Sequence, residues 1–234
     1  ETKVVLTGRD EAALGETAAM LEAEGRDVET VVADLATASG RETVIEHAQD
    51  AGIDLLVNNA GLGTYGAFVD VPMDRHEAVI SVNITAALTL AHALLPTLIA
   101  SAEADGRRAA LVTVSSSLAF VPVPQFATYA ASKAFILSFG EALAAELAGE
   151  PVDVLTVCPG PTLTDFGQNA GYEGGDLPGA IAPERVVEAT YAAIGRQRTL
   201  VVDPLSKMAF GPAAFARNAI SEVVNRAGRL RTGA

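Results

Sequence analysis

Cysteine, lysine and aromatic residues are scarce in this 234-residue sequence, which contains no tryptophan. A chain with one cysteine, Cys158, forms no intramolecular disulfide, which is typical of a protein kept in a reducing compartment. We therefore expect a cytoplasmic location. Because Cys158 lies in the apolar run VDVLTVCPG, we interpret it as an inert strand residue rather than a nucleophile.

Long hydrophobic runs and an excess of basic residues are also missing, and we expect no secretory signal. No apolar run approaches the roughly 18 uninterrupted residues of a membrane helix, and no basic, apolar leader opens the sequence. The net charge of −13 argues against nucleic-acid binding, which needs a basic surface. His47, His76 and His92 lack metal-ligand spacing, so we predict no metal site. We expect neither a membrane nor a nucleic acid as a partner.

The sequence does contain a regular alternation of apolar, strand-like runs and helical patterns. Half of its residues are hydrophobic, which is enough for the core of one domain spanning residues 1–234. The alternation predicts an α/β fold with a doubly wound parallel sheet. Strands are predicted at 4–7, 28–33, 53–57, 109–114, 152–157 and 199–202, and helices at 11–24, 38–51, 74–100, 128–147 and 183–195, followed by a terminal helical stretch.

The stretch SSSLAFVPVPQFATYAASK, residues 115–133, carries the clearest chemical signal. Its serine triplet follows a predicted strand, where open α/β sheets bind their ligands. Tyr129 and Lys133 are four residues apart, so on a helix their Cβ atoms lie about 6 Å apart on one face. An ammonium group beside a phenol favours the phenolate, and Tyr129 then becomes a candidate general acid or base. Taken alone, the pair also fits the surface of an ordinary amphipathic helix.

The motif NNAG at 58–61 supplies a second signal. NNAG, a strand-end serine and YxxxK together resemble the short-chain dehydrogenase/reductase family, over essentially the whole chain. The resemblance implies a Rossmann-like, three-layer α/β/α fold and hydride transfer between a nicotinamide and a carbonyl or alcohol. Tyr129 would then donate the proton, Ser116 would bind the carbonyl oxygen, and Lys133 would lower the tyrosine pKa and hold the cofactor ribose. Asn83, in SVNITA, would help hold a water in the proton relay.

The resemblance also assigns the cofactor contacts. Arg9 stands where the family often places an arginine that pairs with the 2′-phosphate of NADP, so NADP(H) is expected before NAD(H). Arg9 also fits a solvated residue at a helix start. Spacing before Tyr129 selects Ser116 over Ser115 and Ser117 as the catalytic serine. The predicted cofactor-binding residues are Arg9, Asp34, Leu35, Asn58, Ala60, Gly61, Tyr129, Lys133, Pro159, Gly160, Thr162 and Thr164.

One family feature is absent, namely the glycine-rich turn TGxxxGxG that presents backbone N–H groups to the cofactor pyrophosphate. Thr7 and Gly8 are followed by Arg9, Asp10 and Glu11, and an acidic pair repels a phosphate. In the first alternative, VVLTG is the family's first strand followed by a degenerate turn. In the second, the chain begins at the family's second strand. The segment VVLTGRDEAAL followed by VVADL favours the second alternative, because it resembles the family's second strand, helix and third strand. The second alternative predicts a fold without its first βα unit and with two unpaired strand edges. We accordingly expect a fragment, or a segment ahead of Glu1.

Two further regions concern partners and substrate. The predicted helix 128–147 is apolar almost all round, which indicates burial on two sides. Its second side meets a partner subunit if the chain forms the homodimer or homotetramer that the resemblance implies, or else lies within the monomer. The glycine-rich region 165–182 is predicted as a mobile flap over the substrate, or as a plain loop. An apolar pocket for a hydrophobic ketone or secondary alcohol is predicted from Leu118, Phe120, Val121, Phe126 and Tyr172.

The missing turn keeps two rival interpretations open. The first rival to an active reductase is a non-catalytic binding or scaffold protein with the same fold. The second is a truncated reductase that folds poorly without a complementing segment. Saturable NADPH binding distinguishes an active reductase from the scaffold.

Overall fold

The structure, a computed structural model, describes residues 3–175 and 179–232, with side chains as far as residue 223. Strands and helices alternate along this part of the chain, close to the predicted positions. In order they are β1 (Lys3–Gly8), α1 (Glu11–Ala23), β2 (Asp27–Val32), α2 (Ala38–Ala51), β3 (Leu55–Asn58), α3 (Met73–Ile80), a π-helical segment (Ser81–Ala86), α4 (Ala87–Asp105), β4 (Ala109–Val114), a 3₁₀ turn (Ser117–Phe120), α5 (Ala127–Glu146), β5 (Val152–Cys158), α6 (Phe166–Ala170), α7 (Pro183–Ala193), β6 (Thr199–Val201) and α8 (Pro204–Thr232).

The strands form two parallel sheets rather than one. β1 pairs with β2, whereas β3, β4, β5 and β6 follow one another in a second sheet. Val4 lies opposite Val28 in the first sheet, and Leu56 lies opposite Leu111 in the second. Within the described residues, β1 and β3 each keep one edge without a strand partner. This division is what a fold without its first βα unit predicts, and the architecture is the expected three-layer α/β/α arrangement.

The two sheets share apolar packing even though no strand joins them in the described residues. Val5 of β1 and Leu56 of β3 both pack against a buried cluster that includes Leu90 and Leu94 of α4. Full burial of such a side chain contributes about 1.5–3 kcal/mol. Side chains on α4 therefore hold the two halves together in place of a backbone ladder.

A continuous helical stretch, Met73–Asp105, runs through α3, the π-helical segment and α4. It continues beyond the predicted end at residue 100. Its length and the mean hydropathy of 1.8 in its most apolar 18-residue window would suffice to span a membrane, and 44% of that window is buried inside the protein. The regular hydrogen-bond pattern changes around Asn83. Such π turns occur frequently at functional sites.

Helix α5 is buried on two sides, as its composition predicts. One side packs so closely on β5 that a Cβ atom on Gly140 would overlap Oγ1 of Thr156. On another side, Arg217 of α8 forms an ion pair with Glu141 at 2.8 Å and donates to Ser138 Oγ, also at 2.8 Å. Here α8 of the same chain covers α5.

The region predicted as a flap contains the short helix α6. The Tyr65 N–H donates to the Ala170 carbonyl at 2.9 Å, and Nη2 of Arg75 donates to the Asn169 carbonyl at 3.0 Å. These bonds attach α6 to the loop that follows NNAG and to α3. Residues 176–178 of the predicted flap lie outside the described residues.

Candidate active site

Three turns meet at the carboxyl edge of the larger sheet. Residues 58–61 follow β3, residues 115–117 follow β4, and residues 159–160 follow β5. The Ser117 N–H donates to the Pro159 carbonyl at 2.8 Å, which joins the second turn to the third. A cleft of this kind outside the carboxyl ends of parallel strands is the usual ligand position in an α/β sheet.

Tyr129 and Lys133 lie one turn apart near the start of α5, with exposures of only 7% and 4%. The Lys133 Nζ atom is 5.8 Å from the centroid of the Tyr129 ring and donates to the Val114 carbonyl at 2.8 Å. The Ser115 hydroxyl donates to the Lys133 carbonyl at 2.7 Å. The first turns of α5 are therefore anchored to the end of β4.

Burial moves the two pKa values in opposite directions. It raises the pKa of Tyr129 to about 12, and a hydrogen bond with Ser116 opposes this shift. It lowers the pKa of Lys133 to about 8. The predicted lowering of the tyrosine pKa by Lys133 is therefore not found here. Loss of solvent around the phenol outweighs the effect of an ammonium group that donates to the Val114 carbonyl.

The Asn83 side chain joins the NNAG turn to α5. Its Nδ2 donates to the Leu62 carbonyl and to the Ser132 hydroxyl, each at 2.9 Å, and its Oδ1 accepts from the Leu62 N–H at 2.8 Å. Ser132 in turn donates to the Tyr129 carbonyl at 2.7 Å. The side chain is thus engaged in positioning the turn, and all of these hydrogen bonds are to protein groups.

Among the three serines, Ser116 is placed to interact with Tyr129. The hydroxyl of Ser115 donates to the Lys133 backbone carbonyl. The hydroxyl of Ser116 accepts from the Leu118 N–H at 3.1 Å and hydrogen-bonds the tyrosine. Ser116 is the serine that sequence spacing selects, and its catalytic role stays a prediction.

Aromatic rings surround Tyr129. Phe166 of α6 lies 5.1 Å from it between ring centroids, and Phe126 lies 6.1 Å away on the other side. Tyr65 contacts both Phe126 and Tyr172, at 5.0 and 5.1 Å. We call these five residues the aromatic enclosure. It excludes water from the phenol, which explains the raised pKa.

Gly63 permits this closed arrangement. A Cβ atom at position 63 would lie 2.7 Å from Cζ of Phe166 and 2.8 Å from Cβ of Ala170, closer than real Cβ contacts. The missing side chain therefore lets α6 settle onto the loop and brings Phe166 against Tyr129.

The residues predicted for an apolar pocket lie in different places. Phe126 and Tyr172 belong to the aromatic enclosure, whereas Phe120 stacks on Phe210 of α8, at 5.3 Å between ring centroids. Four residues of this region were not predicted from the sequence: Gly63, Tyr65, Ser132 and Phe166. Apart from the flanking glycines of GLGTYG, no local signal marks them, because their contacts cross between distant segments.

The region around Arg9, which is predicted to bind the adenosine half of the cofactor, is more exposed than the residues around Tyr129. Arg9 is exposed, and it lines a surface depression with Asp10, Glu11 and Ala12. The Asp10 carboxylate accepts from the Ala13 N–H at 3.0 Å, so it caps the first turn of α1. A negative cap at this helix start disfavours a phosphate, and the residues present do not supply a pyrophosphate cradle.

Other predicted cofactor residues have structural contacts of their own. The Asp34 carboxylate accepts from the Ala36 N–H at 2.9 Å, and the Leu35 side chain is buried in the core. Asn58 Nδ2 donates to the Ala87 carbonyl at 3.2 Å. Ala60 is exposed.

The residues predicted to lie beside the nicotinamide are packed closely against one another. At Gly61 a Cβ atom would lie 3.4 Å from Lys133 Nζ, so glycine keeps this approach open. At Gly160 a Cβ atom would overlap the buried Asp203 carboxylate. Thr162 Oγ1 donates to the Gly160 carbonyl at 3.1 Å, whereas Thr164 is exposed. Among the described residues, no group of three or more His, Cys, Asp or Glu side chains could hold a metal ion.

Comparison with known proteins identifies the family. The model of the short chain dehydrogenase family matches residues 1–173. The chain belongs to the short-chain dehydrogenase family. The chain is 28% identical over 244 aligned residues to the probable oxidoreductase EphD of Mycobacterium tuberculosis (strain ATCC 25618 / H37Rv), an alignment that covers 96% of this chain but only 39% of that protein.

Two relatives of similar size extend the comparison. This short-chain dehydrogenase is 30% identical to the 7beta-hydroxysteroid dehydrogenase of Collinsella aerofaciens, over 87% of this chain and 78% of that one. A solved short-chain dehydrogenase from Sphingobium yanoikuyae in complex with NADPH matches with a TM-score of 0.81 and 32% identity, and covers 93% of this chain and 84% of that one. Oxidoreduction with a nicotinamide cofactor is therefore the coarse function that the family supports.

Proposed function

We propose that residues 1–234 form one catalytic domain that interconverts a hydrophobic ketone and its secondary alcohol with NADP(H). The observation that carries this proposal is the buried Tyr129 beside Ser116 and Lys133, inside the aromatic enclosure. Such a site combines a proton donor with an apolar surface for the substrate.

In the reductive direction, a nicotinamide cofactor held by these residues would supply the hydride that the carbonyl carbon accepts. Tyr129 Oη gives its proton to the carbonyl oxygen as the alcohol forms, and Ser116 donates a hydrogen bond to that oxygen. The tyrosine is left as a phenolate, which the Lys133 ammonium stabilises once the site is solvated or occupied. Asn83 positions the turn at Leu62 and, through Ser132, the backbone of Tyr129.

The aromatic enclosure supports a bulky, apolar substrate. Phe166 lies against Tyr129, so a carbonyl oxygen reaches the phenol only when this ring moves aside. A large apolar substrate replaces the lost ring contacts, whereas a small polar one does not. The name of the Collinsella relative, a hydroxysteroid dehydrogenase, is in keeping with this substrate class.

Arg9 supports NADP(H) over NAD(H), because its guanidinium is exposed at the end of β1 and can pair with a 2′-phosphate. The other cofactor contacts proposed from the resemblance are made by Asp34, Leu35, Asn58, Ala60, Gly61, Pro159, Gly160, Thr162 and Thr164. A cytoplasmic location is proposed from the single, buried Cys158.

A non-catalytic binding protein is the second candidate. The observation that favours it is that the given sequence contains no glycine-rich TGxxxGxG turn, whose backbone N–H groups would bind the pyrophosphate.

Fluorescence titration with NADPH, followed by turnover of a panel of bulky ketones, tests both candidates. For an active reductase we expect saturable binding, and Tyr129→Phe should keep that binding while it lowers turnover by about 10³-fold. Near wild-type turnover by Tyr129→Phe would contradict the mechanism. Absence of saturable NADPH binding would instead favour the non-catalytic protein.

A further inference from the structure

Helix α8 presents an apolar face to solvent. Its exposed side chains include Met208 and Phe215, with exposures of 77% and 78%. Intervals of three, four and seven residues place most of this face on one side of the helix. We call the set the α8 stripe: Leu205, Met208, Phe215, Ala219, Ile220 and Val223.

The opposite side of α8 is attached to the rest of the chain. Phe210 stacks on Phe120 at 5.3 Å between ring centroids, and Ala214 is buried. Arg217 pairs with Glu141 of α5 at 2.8 Å. These contacts fix the rotation of the helix, so the α8 stripe is exposed without any change of fold.

Basic residues are concentrated in the same part of the chain. Residues 196–234 contain seven basic and two acidic residues, a balance of +5, whereas residues 1–195 contain nine basic and 27 acidic residues, a balance of −18. The local charge is therefore opposite in sign to that of the rest of the chain. Five of the basic residues belong to α8 itself, namely Lys207, Arg217, Arg226, Arg229 and Arg231.

The two acidic residues of this segment have contacts within the fold. The Ser206 N–H donates to Asp203 Oδ1 at 2.8 Å, so this carboxylate caps α8. Glu222 pairs with Arg198 at 2.7 Å. Lys207, by contrast, is exposed. Its ammonium group can therefore reach an external anion.

The acidic first part of the chain lies on the far side of the larger sheet from α8. Helix α8 packs on β6, at one edge of that sheet, whereas Val5 of β1 packs beside Leu56 of β3, at the opposite edge. Three strand intervals separate β3 from β6, or about 14 Å, which exceeds the Debye length of about 8 Å at physiological salt. The 12 acidic residues of 1–51 are therefore largely screened at α8.

Charge complementarity selects the occupant of this face. Two copies of the chain that met through the α8 stripe would bring the basic residues of both helices together, which is unfavourable. A nucleic acid would contact the cations but would leave Met208 and Phe215 in water. A bilayer with anionic phospholipids satisfies both features, because helices that lie on such a surface combine large apolar side chains with Lys and Arg.

We propose that α8 binds the surface of a bilayer that contains anionic phospholipids. The α8 stripe inserts at the boundary between headgroups and acyl chains, and basic residues of α8 attract the lipid phosphates, at about 1 kcal/mol for each Lys or Arg near the surface. A helix that lies on a membrane needs neither a spanning length nor a positive overall charge, which are the two features behind the expectation of no membrane partner. The interaction does not depend on catalysis at Tyr129.

Co-sedimentation of the full chain with vesicles tests this surface. We expect the wild type to bind vesicles of phosphatidylglycerol and phosphatidylcholine, to bind pure phosphatidylcholine at least tenfold more weakly, and to be released by about 0.5 M NaCl. Phe215→Glu and Lys207→Glu should each weaken binding about tenfold. Met20→Glu, at a side chain 72% exposed on α1, and Arg26→Glu, at an exposed arginine before β2, are the matched controls and should bind as the wild type does. Circular dichroism should show the same fold for all four variants.

Fluorescence provides a second measurement. The sequence contains no tryptophan, so Phe215→Trp introduces a single indole into the α8 stripe. Its emission should shift to the blue when phosphatidylglycerol vesicles are added, because the ring leaves water. Met20→Trp is the control and should show no shift.

Four outcomes would overturn the proposal. The first is a wild-type chain that does not sediment with phosphatidylglycerol vesicles, and the second is binding that Phe215→Glu leaves unchanged. The third is a wild-type dimer that Phe215→Glu dissociates in the absence of lipid, which would assign the stripe to a second copy. The fourth is retardation of a DNA duplex by the wild type but not by Lys207→Glu, which would assign the basic residues to a nucleic acid.

Discussion

The half of the molecule built on β4 and β5 and the half built on β1 and β2 are held together differently. In β4 five of six residues are buried, whereas in β1 none is. β4 has a strand on each side, but β1 pairs only with β2 in the described residues. A parallel strand is stable when both edges are paired and both faces are covered.

The proposed chemistry follows the same division. The proton-transfer residues are buried and joined by hydrogen bonds to strand ends and to neighbouring helices. Arg9, proposed for the cofactor phosphate, is exposed in an open depression. A tightly packed catalytic half can preorganise its groups without a ligand. In the half built on β1 and β2, Arg9 would contact the cofactor phosphate only once the cofactor is bound.

The largest expected effect is a packing defect in the β4–β5 half. Gly140→Ala should destabilise the fold by about 2–3 kcal/mol, because the new methyl group overlaps Oγ1 of Thr156 in a close-packed interior. Gly15→Ala in α1 should instead stabilise it by about 0.5–1 kcal/mol, because nothing lies within 4 Å of its Cβ position and alanine favours a helix. Urea unfolding measures both.

A double variant identifies the cause of the Gly140→Ala effect. Adding Thr156→Ala removes the overlapping hydroxyl, so part of the lost stability should return. If the double variant showed the full sum of the two single losses, the α5–β5 contact would not be the cause. If Gly15→Ala lowered the stability as much as Gly140→Ala, the β4–β5 half would not be the more tightly packed of the two halves.

Lys133→Met should stabilise the fold by about 2 kcal/mol at pH 7 while it abolishes turnover. The lysine pKa falls from 10.5 to about 8 on folding, which at neutral pH corresponds to a penalty of about 3 kcal/mol. The lost hydrogen bond to the Val114 carbonyl offsets about 1 kcal/mol of the gain.

The pH dependence of the unfolding free energy shows whether Lys133→Met stabilises the fold by removing a buried charge or only by burying an apolar side chain. Between about pH 8 and 10.5 the unfolded wild type binds more protons than the folded one, so its stability rises with pH in that window. The advantage of Lys133→Met should therefore shrink between unfolding curves at pH 7 and pH 9.5. Lys207→Met, which removes an exposed charge, is the control and should show no such dependence. A constant advantage at both pH values would contradict the buried-charge explanation.

Phe166→Ala should lower the pKa of Tyr129 from about 12 towards 10.0, because water then reaches the phenol. Absorbance titration of tyrosinate measures the change, and subtraction of the Phe166→Ala/Tyr129→Phe titration isolates this tyrosine. Phe215→Ala, at an exposed ring on α8, is the control. An unchanged pKa in Phe166→Ala would show that the ring does not exclude water from Tyr129.

Sequence alone predicted most of the fold and the centre of the site. Apolar periodicity located the strands, and the one-turn spacing of Tyr129 and Lys133 placed both side chains on one helix. The raised tyrosine pKa could not be predicted, because it depends on Phe166, which is 37 positions further along the chain. The sequence likewise gave no sign that Gly63 leaves room for that ring, since the close approach exists only after folding.

The smallest effect is expected in the open half, at Arg9. Arg9→Ala should weaken NADPH binding about tenfold, or about 1.4 kcal/mol, and leave NADH binding nearly unchanged, because only NADPH carries the 2′-phosphate. The effect is modest because an exposed ion pair is screened by solvent. Arg26→Ala, at an exposed arginine just before β2, is the control. Equal weakening for both cofactors would mean that Arg9 supports the turn after β1 instead of the phosphate.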